Sequence, residues 1–224
     1  MDKKGEDEVS RGAIRAMRRS YGEIGLEGLS KDPIEAFTSW LKDAVANPFI
    51  VEPNAMVLST LGADENISTR TVLLKDVSRD GFTFFTNYSS RKAHAIDLNP
   101  RITLLFPWYA MERQVAISGE ASKISREESA AYFATRPWSS QIGAWASAQS
   151  APLASREELE QRFEGAAKKW PEGATVPIPD HWGGYRVEPS SIEFWQGRYS
   201  RLHDRLRYER SNSGTEWEIT RYYP

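Results

Sequence analysis

The order of strand-like and helix-like segments is what most constrains the fold of this chain. Alternating or continuous apolar runs mark strands over residues 55–61, 68–74, 82–86, 102–108 and 114–124; in the last, Val115, Ile117, Gly119 and Ala121 fall on one side. The breaks are short. Residues 63–66 and 78–81 read as turns, and residues 89–98 as a short serine-capped helix stopped by Asn99 and Pro100. A helical block follows. Strands then return at 184–187, 192–195, 206–209 and 217–220, the last two joined by a turn at 212–214. This is not the regular alternation that builds a doubly wound parallel sheet. It predicts a mainly β protein, an antiparallel barrel with peripheral α-helices.

Local signals place the helices. Asp32 as N-cap and Pro33 in the first turn start a helix whose apolar stripe is Ile34, Phe37, Trp40, Leu41 and Val45, with Asn47 and Pro48 ending it. Ser125 and Glu128 have the spacing of a capping box for a helix over 125–135. Pro137 breaks that helix, Ser139 or Ser140 caps a second one reaching Trp145, and a third spans 155–169. Residues 1–30 are polar, glycine-containing and weakly periodic, and read as a mobile arm ahead of a folded domain over 31–224. In the arm, Arg15, Arg18, Arg19 and Tyr21 form a basic-aromatic cluster, either a solvated tail or a lid for an anionic ligand.

Composition removes several kinds of chemistry. The 224 residues include no cysteine, which excludes disulfides, thiolate catalysis and a cysteine-ligated metal. A formal net charge of −2 lacks the basic excess of a general nucleic-acid binder. The longest apolar stretch, residues 102–111, is about half of the ~20 residues a membrane-spanning helix needs. The charged residues 1–10 do not resemble a secretory signal. A soluble, cytoplasmic protein with neither nucleic-acid nor membrane partners is expected. His94, His181 and His203 have no metal-ligand spacing, so no metal site is expected. The phosphate-binding P-loop, the dinucleotide fingerprint and the nucleophile elbow are all missing. A chain without a strong nucleophile of its own can borrow reactivity from a cofactor.

Three segments carry a resemblance: Arg70-Thr-Val-Leu-Leu-Lys75; Ser90-Arg-Lys-Ala-His94 followed by Asn99-Pro-Arg101; and Ile192-Glu-Phe-Trp-Gln-Gly197 followed by Arg201-Leu-His-Asp-Arg205. Shorter matches lie between them, among them Glu112–Val115, Arg136-Pro137, Ser140–Trp145, Gln149-Ser150 and Trp182–Gly184. In order and spacing the set resembles the pyridoxine (pyridoxamine) 5'-phosphate oxidase family from about residue 32 to the last residue. The resemblance implies an FMN-binding split β-barrel, a homodimer, and two FMN sites at the dimer interface.

It also implies residue roles. Arg70, Val72, Leu73, Lys75, Phe85, Thr86, Arg91, Lys92, Gln114, Gln149, Ser150, Trp195 and Arg205 would contact FMN. Arg91 and Lys92, in the first turn of a helix, suit its phosphate. Lys75, Tyr132, Arg136 and Ser140 would hold the phosphate of pyridoxine or pyridoxamine 5'-phosphate, and Arg18, Arg19 and Tyr21 match the family's covering arm, with Gly22, Gly25 and Gly28 allowing it to move. Arg201 and His203 alternate, so on an extended strand they would face one side. The family puts both beside the substrate ring as the catalytic pair, with O2 as final electron acceptor. Two rivals remain. One is a flavin oxidase of the phenazine-biosynthesis type, against which Lys75, Arg91 and Lys92 argue. The other is a non-catalytic split barrel that carries flavin, haem or pyridoxal phosphate, against which Arg136, Arg201 and His203 argue.

Overall fold

The computed structural model describes residues 11–17, 20–211 and 216–224. Arg18, Arg19 and the turn expected at 212–214 lie outside them. The strands are β1 (Ala55–Leu61), β2 (Ile67–Leu73), β3 (Asp76–Ser78), β4 (Gly81–Asn87), β5 (Arg101–Trp108), β6 (Arg113–Lys123), β7 (Trp182–Gln196), β8 (Asp204–Arg210) and β9 (Trp217–Tyr222). All pair antiparallel, in the order β2-β1-β5-β6-β7-β4-β3, with β8 added to β7 and β9 to β8. Only Leu74 and Lys75 separate β2 from β3, so the two ends of that path are joined along the chain and the sheet curls into a barrel. The joint is pinned by the Leu74 N–H on the Asn54 carbonyl and the Lys75 N–H on the Thr83 carbonyl, both at 2.8 Å.

The barrel is split along β7. Its residues Trp182–Val187 pair with β4, and Ser191–Gln196 pair with β8, while β6 follows both halves. The strands expected at 184–187 and 192–195 are therefore one element. The register slips at Ser118/Gly119, where β7 carries an extra residue beside Pro189. This is the split β-barrel expected from the resemblance. β3 has three residues and too little pattern to be read in advance.

The helices are α1 (Arg11–Ala16), α2 (Pro33–Ala46), α3 (Arg91–Leu98), α4 (Arg126–Ala134), α5 (Trp138–Ala146) and α6 (Arg156–Lys169). Asp32 caps α2 by accepting from the Ile34 and Glu35 N–H groups. α2 buries Ala36, Phe37, Trp40 and Ala44, and the Phe37 ring meets Phe82 and Phe106 edge-on at 4.9 Å. Val45 of the expected stripe is 66% exposed, because Ala44 takes the inward position. Ser125 and Glu128 form both bonds of the capping box of α4. α5 starts directly after Pro137 without a side-chain cap, so Ser139 and Ser140 lie inside its first turn rather than capping it. Ahead of α2, Leu26 is buried in the core and the Ser30 carbonyl accepts from the Tyr208 hydroxyl at 2.8 Å. Among the described residues no helix is long and apolar enough to cross a membrane.

Gly119 shows why the bulge needs glycine: a Cβ there would lie 2.9 Å from Pro189 Cα and closer still to the Glu188 carbonyl. Gly119→Ala should cost about 1–3 kcal/mol through backbone displacement in a packed region. Urea unfolding of the two proteins checks this, and equal midpoints would refute it.

Candidate active site

A cleft of about 740 Å³ opens between the β2–β3 junction, the end of β4, and helices α4 and α5. Of the residues expected at a ligand, Val72, Leu73, Lys75, Phe85, Thr86, Lys92, Tyr132, Arg136, Ser140 and Gln149 line it. Sequence separation hides this grouping: Lys75 follows β2, Phe85 and Thr86 end β4, Lys92 is in the first turn of α3, and Arg136 and Ser140 flank the corner between α4 and α5. Arg136 lies just past the Thr135 C-cap rather than on the helix, so it shares a cavity with Tyr132 through the corner, not through one helical face.

The electrostatics of the cleft are one-sided. Lys75, Lys92 and Arg136 line it, and no carboxylate does so among the described residues. Lys92 donates to Gln149 Oε1 at 2.7 Å and Thr86 Oγ1 at 3.0 Å, both neutral acceptors. Burial, with the nearby charge of Arg70, lowers its pKa to about 8. Burial likewise lowers the pKa of Arg136. Its Nη1 is buried with no hydrogen-bond partner, while its guanidinium lies 4.8 Å over the Trp182 ring. Three stacked rings form a wall: Tyr132 and Phe85 at 4.0 Å, Phe85 and Trp182 at 5.3 Å. A Cβ at Gly184 would meet Phe85 Cε1 at 2.9 Å, so this glycine lets the wall stand flat. Trp182 belonged to a matching segment, but nothing in its local pattern marked it as a lining residue.

Three expected contacts lie beside the cleft. Arg70 reaches the Leu58 carbonyl and Thr60 Oγ1, and its pKa is lowered by burial and by the charge of Arg91. The Arg91 backbone N–H donates to Ser150 Oγ at 3.2 Å, and both residues line an adjoining hollow with Asp64 and His94. Arg70 thus feels the charge of Arg91, and Lys92 that of Arg70, while the Arg91 guanidinium also lies 3.9 Å from Asp64 Oδ2; an anion between the cations would relieve the repulsion.

The remaining expected residues gather elsewhere. Gln114, Trp195 and Arg205 are register partners on β6, β7 and β8, so they share one sheet face. Arg205 is held by both oxygens of Glu193, at 3.0 and 3.1 Å. Trp195, His203 and Tyr21 pack together, with ring centroids 4.7–5.9 Å apart. Arg201 and His203 do not sit on an extended strand, as their alternation suggested. Residues Tyr199–Arg201 form a tight turn, Ser200 and Arg201 have φ of 57° and 63°, and β8 begins only at Asp204. Arg201 is exposed and His203 half-buried. The His203 pKa is lowered by burial and by the charge of Arg201.

Trp182 of the first group and Trp195 of the second lie near opposite ends of β7. At about 3.3 Å per residue, the strand between them runs roughly 40 Å. Within one chain the two groups are therefore separate sites.

Residues 42–169 match the family model described as Pyridoxamine 5'-phosphate oxidase. The chain belongs to that family. Membership makes it an oxidoreductase. Residues 182–224, from β7 onward, match the Pyridoxine 5'-phosphate oxidase C-terminal dimerisation region, so Trp195, Arg201, His203 and Arg205 of the second group lie on the family's dimer-forming part. A pyridoxine/pyridoxamine 5'-phosphate oxidase of Rubrobacter xylanophilus is 51% identical over 97% of this chain and 99% of its own, and one of Streptomyces avermitilis 49% identical over 93% and 95%. Among solved structures, PhzG from Burkholderia lata in complex with tetrahydrophenazine-1-carboxylic acid superposes with a TM-score of 0.84 at 30% identity, covering 92% of this chain and 100% of its own. An FMN binding protein from Nostoc punctiforme, at 15% identity and a TM-score of 0.69 over 87% of this chain and 100% of its own, shares the fold.

Lys92 gives a pH test of the cleft. Its folded pKa, about 8, lies below the unfolded value of 10.5, so between these pH values the unfolded chain holds more protons and this group's contribution to stability rises with pH. Any stability advantage of Lys92→Met over the wild type should therefore shrink between pH 8 and 10.5, by on the order of 1 kcal/mol once solvent screening of the partly exposed ammonium is allowed for. Denaturation curves at pH 7 and 10 measure it, and a pH-independent difference would contradict the buried charge.

Proposed function

We propose that this protein is an FMN-dependent oxidase that converts pyridoxine 5'-phosphate and pyridoxamine 5'-phosphate to pyridoxal 5'-phosphate in the cytoplasm, serving vitamin B6 supply. One observation carries the reading: a cleft lined by Lys75, Lys92 and Arg136, by no carboxylate among the described residues, and by a flat aromatic wall. Flavin and substrate are each a flat ring system tied to a phosphate, and the orphaned Arg136 Nη1 and the acid-free Lys92 are what such phosphates would satisfy. The names of relatives near 50% identity support the same substrates.

In this reading Lys92, Thr86 and Gln149, backed by Arg70, Arg91 and Ser150, hold FMN. Val72, Leu73 and Phe85 border its ring. Arg136, Ser140, Tyr132 and Lys75 hold the substrate phosphate. Bound FMN would supply the acceptor for a hydride from the substrate C4', while the alcohol or amine loses a proton. O2 would take up the two electrons and two protons as H2O2, and the imine formed from the pyridoxamine ester would take up water and release ammonia to give the aldehyde. The chain's share is orientation and exclusion of water, and placement alone is worth several orders of magnitude.

Arg201 and His203, with Gln114, Trp195 and Arg205, complete the site from a second subunit. The length of β7 separates the two groups in one chain, and the dimerisation region spans the strands that carry most of the second. A two-fold dimer would set the turn of each subunit at the cleft of the other and produce two equal sites. The arm with Arg18, Arg19 and Tyr21 would cover the substrate; Tyr21 already packs on His203. The likeness to PhzG supports a phenazine-type oxidase less well, since Lys75 and Lys92 both line the cleft and the relatives near 50% identity point elsewhere.

The purified protein should be yellow, should bleach when pyridoxine 5'-phosphate is added without oxygen, and should release H2O2 when air is admitted. Flavin that stays oxidised would indicate a carrier and end the proposal. Arg136→Ala should raise KM for pyridoxine 5'-phosphate about tenfold or more, the worth of a charge-assisted hydrogen bond. Steady-state kinetics check this, and an unchanged KM would remove Arg136 from the phosphate clamp.

A further inference from the structure

Asp204 stands next to His203 and has no part in the roles above, yet it is among the best-connected carboxylates in the molecule. Its side chain is only 14% exposed. Oδ2 accepts from the Leu26 backbone N–H at 3.3 Å and from Arg198 Nη1 at 3.2 Å, and Oδ1 accepts from Arg221 Nη1. Three distant pieces of chain therefore meet on one side chain: the segment before α2, the turn between β7 and β8, and β9.

The turn needs such a hub. Ser200 and Arg201 both occupy the left-handed region, which non-glycine residues adopt at a cost and keep only when their surroundings over-determine them. Arg198, whose guanidinium Asp204 holds, gives its own backbone N–H to His203 Nδ1 at 3.0 Å. Tyr199 gives its N–H to the Gly22 carbonyl at 3.0 Å, and Gly22 gives its N–H to Glu112 Oε2 at 2.9 Å. The Tyr21 ring lies so close over Gly197 that a Cβ there would be 2.9 Å from it. With Nδ1 accepting, the neutral imidazole carries its proton on Nε2. The contacts thus select one ring orientation and one tautomer, and they present an N–H donor on the side away from Arg198.

We infer that Asp204 is a positioning residue: by holding Arg198 and the segment at Leu26 together, it fixes the turn that carries Arg201 and sets the His203 imidazole with Nε2–H outward. This rests on the proposed function for its kinetic part alone. The grip on the substrate phosphate lies in the separate cleft, so loosening the turn should slow turnover and leave that grip in place. A misplacement of about 1 Å can cost roughly a hundredfold in rate.

The test compares Asp204→Ala, Arg198→Ala and the double variant with the wild type, each supplied with FMN. Both single variants should lose about ten- to a hundredfold in kcat for pyridoxine 5'-phosphate, with KM changed no more than a few-fold. The double variant should lose no more than the worse single one, because both act through one linkage. Arg198→Lys, which keeps a cation for Asp204, should recover part of the loss. A second readout is independent of substrate: nitrogen-15 spectra of the imidazole in ligand-free protein. They should show one tautomer, with the proton on Nε2, in the wild type and a mixture in the variants. Additive losses, an unchanged kcat, or an imidazole signal that the substitutions leave untouched would each overturn the inference. If Asp204→Ala does not fold, the half-exposed Arg198 and its two variants carry the test. A wild type that shows the Nε2–H tautomer but does not oxidise pyridoxine 5'-phosphate would count against the proposed function, while the imidazole spectra would still decide the role of Asp204.

Discussion

The hydrogen bonding of β7 is the constraint on which the rest of the molecule depends. This strand is flanked by β6 along its length, by β4 over its first half and by β8 over its second. Its first half closes the barrel and carries Trp182 to the wall of the cleft. Its second half carries Trp195 and Glu193 out to the C-terminal hairpin, where Arg205 and Arg207 share the Glu193 carboxylate. Burial alone would push that carboxyl toward neutrality, but the two guanidinium partners outweigh it and hold its pKa low. One ladder of backbone bonds therefore sets where both groups of polar residues stand.

The cleft inverts the usual treatment of buried charge. Elsewhere the cations find acids: Arg113 with Asp43, Arg186 with Glu128, Lys123 with Asp97. In the cleft, among the described residues, Lys92 has only neutral acceptors and one Arg136 nitrogen has none. Positive charge left half-desolvated and without an acid is costly, and in the proposed function an anion of the right shape would supply the missing partner. The aromatic wall adds shape to that charge.

Much of this was legible in the residues before any coordinates. Asp32 and Pro33, and Ser125 with Glu128, mark helix starts by chemistry that acts within a few residues, and both caps form. The strands read from alternation fall close to β1, β2, β4, β5 and β6. What could not be read is non-local. The strands read at 184–187 and 192–195 are one element, and Pro189 between them sits at the bulge, where the ladder tolerates a residue without an N–H. Arg201 and His203 alternate as if on a strand, but the left-handed pair Ser200–Arg201 lies in a turn whose Tyr199 N–H is held by the carbonyl of Gly22, far away in the sequence, and no local pattern announces that contact. The cleft residues were named through family resemblance. Their periodicity alone said only core, helix face or turn.

The length of β7 has a genetic consequence. In the proposed dimer, each site takes its anion-binding cleft from one polypeptide and its left-handed turn from the other. A lesion confined to the cleft and a lesion confined to the turn, carried on two different alleles, would then assort within a mixed dimer so that one site receives both defects and the other receives neither. Two inactive gene copies would together restore a fraction of the activity that neither provides alone.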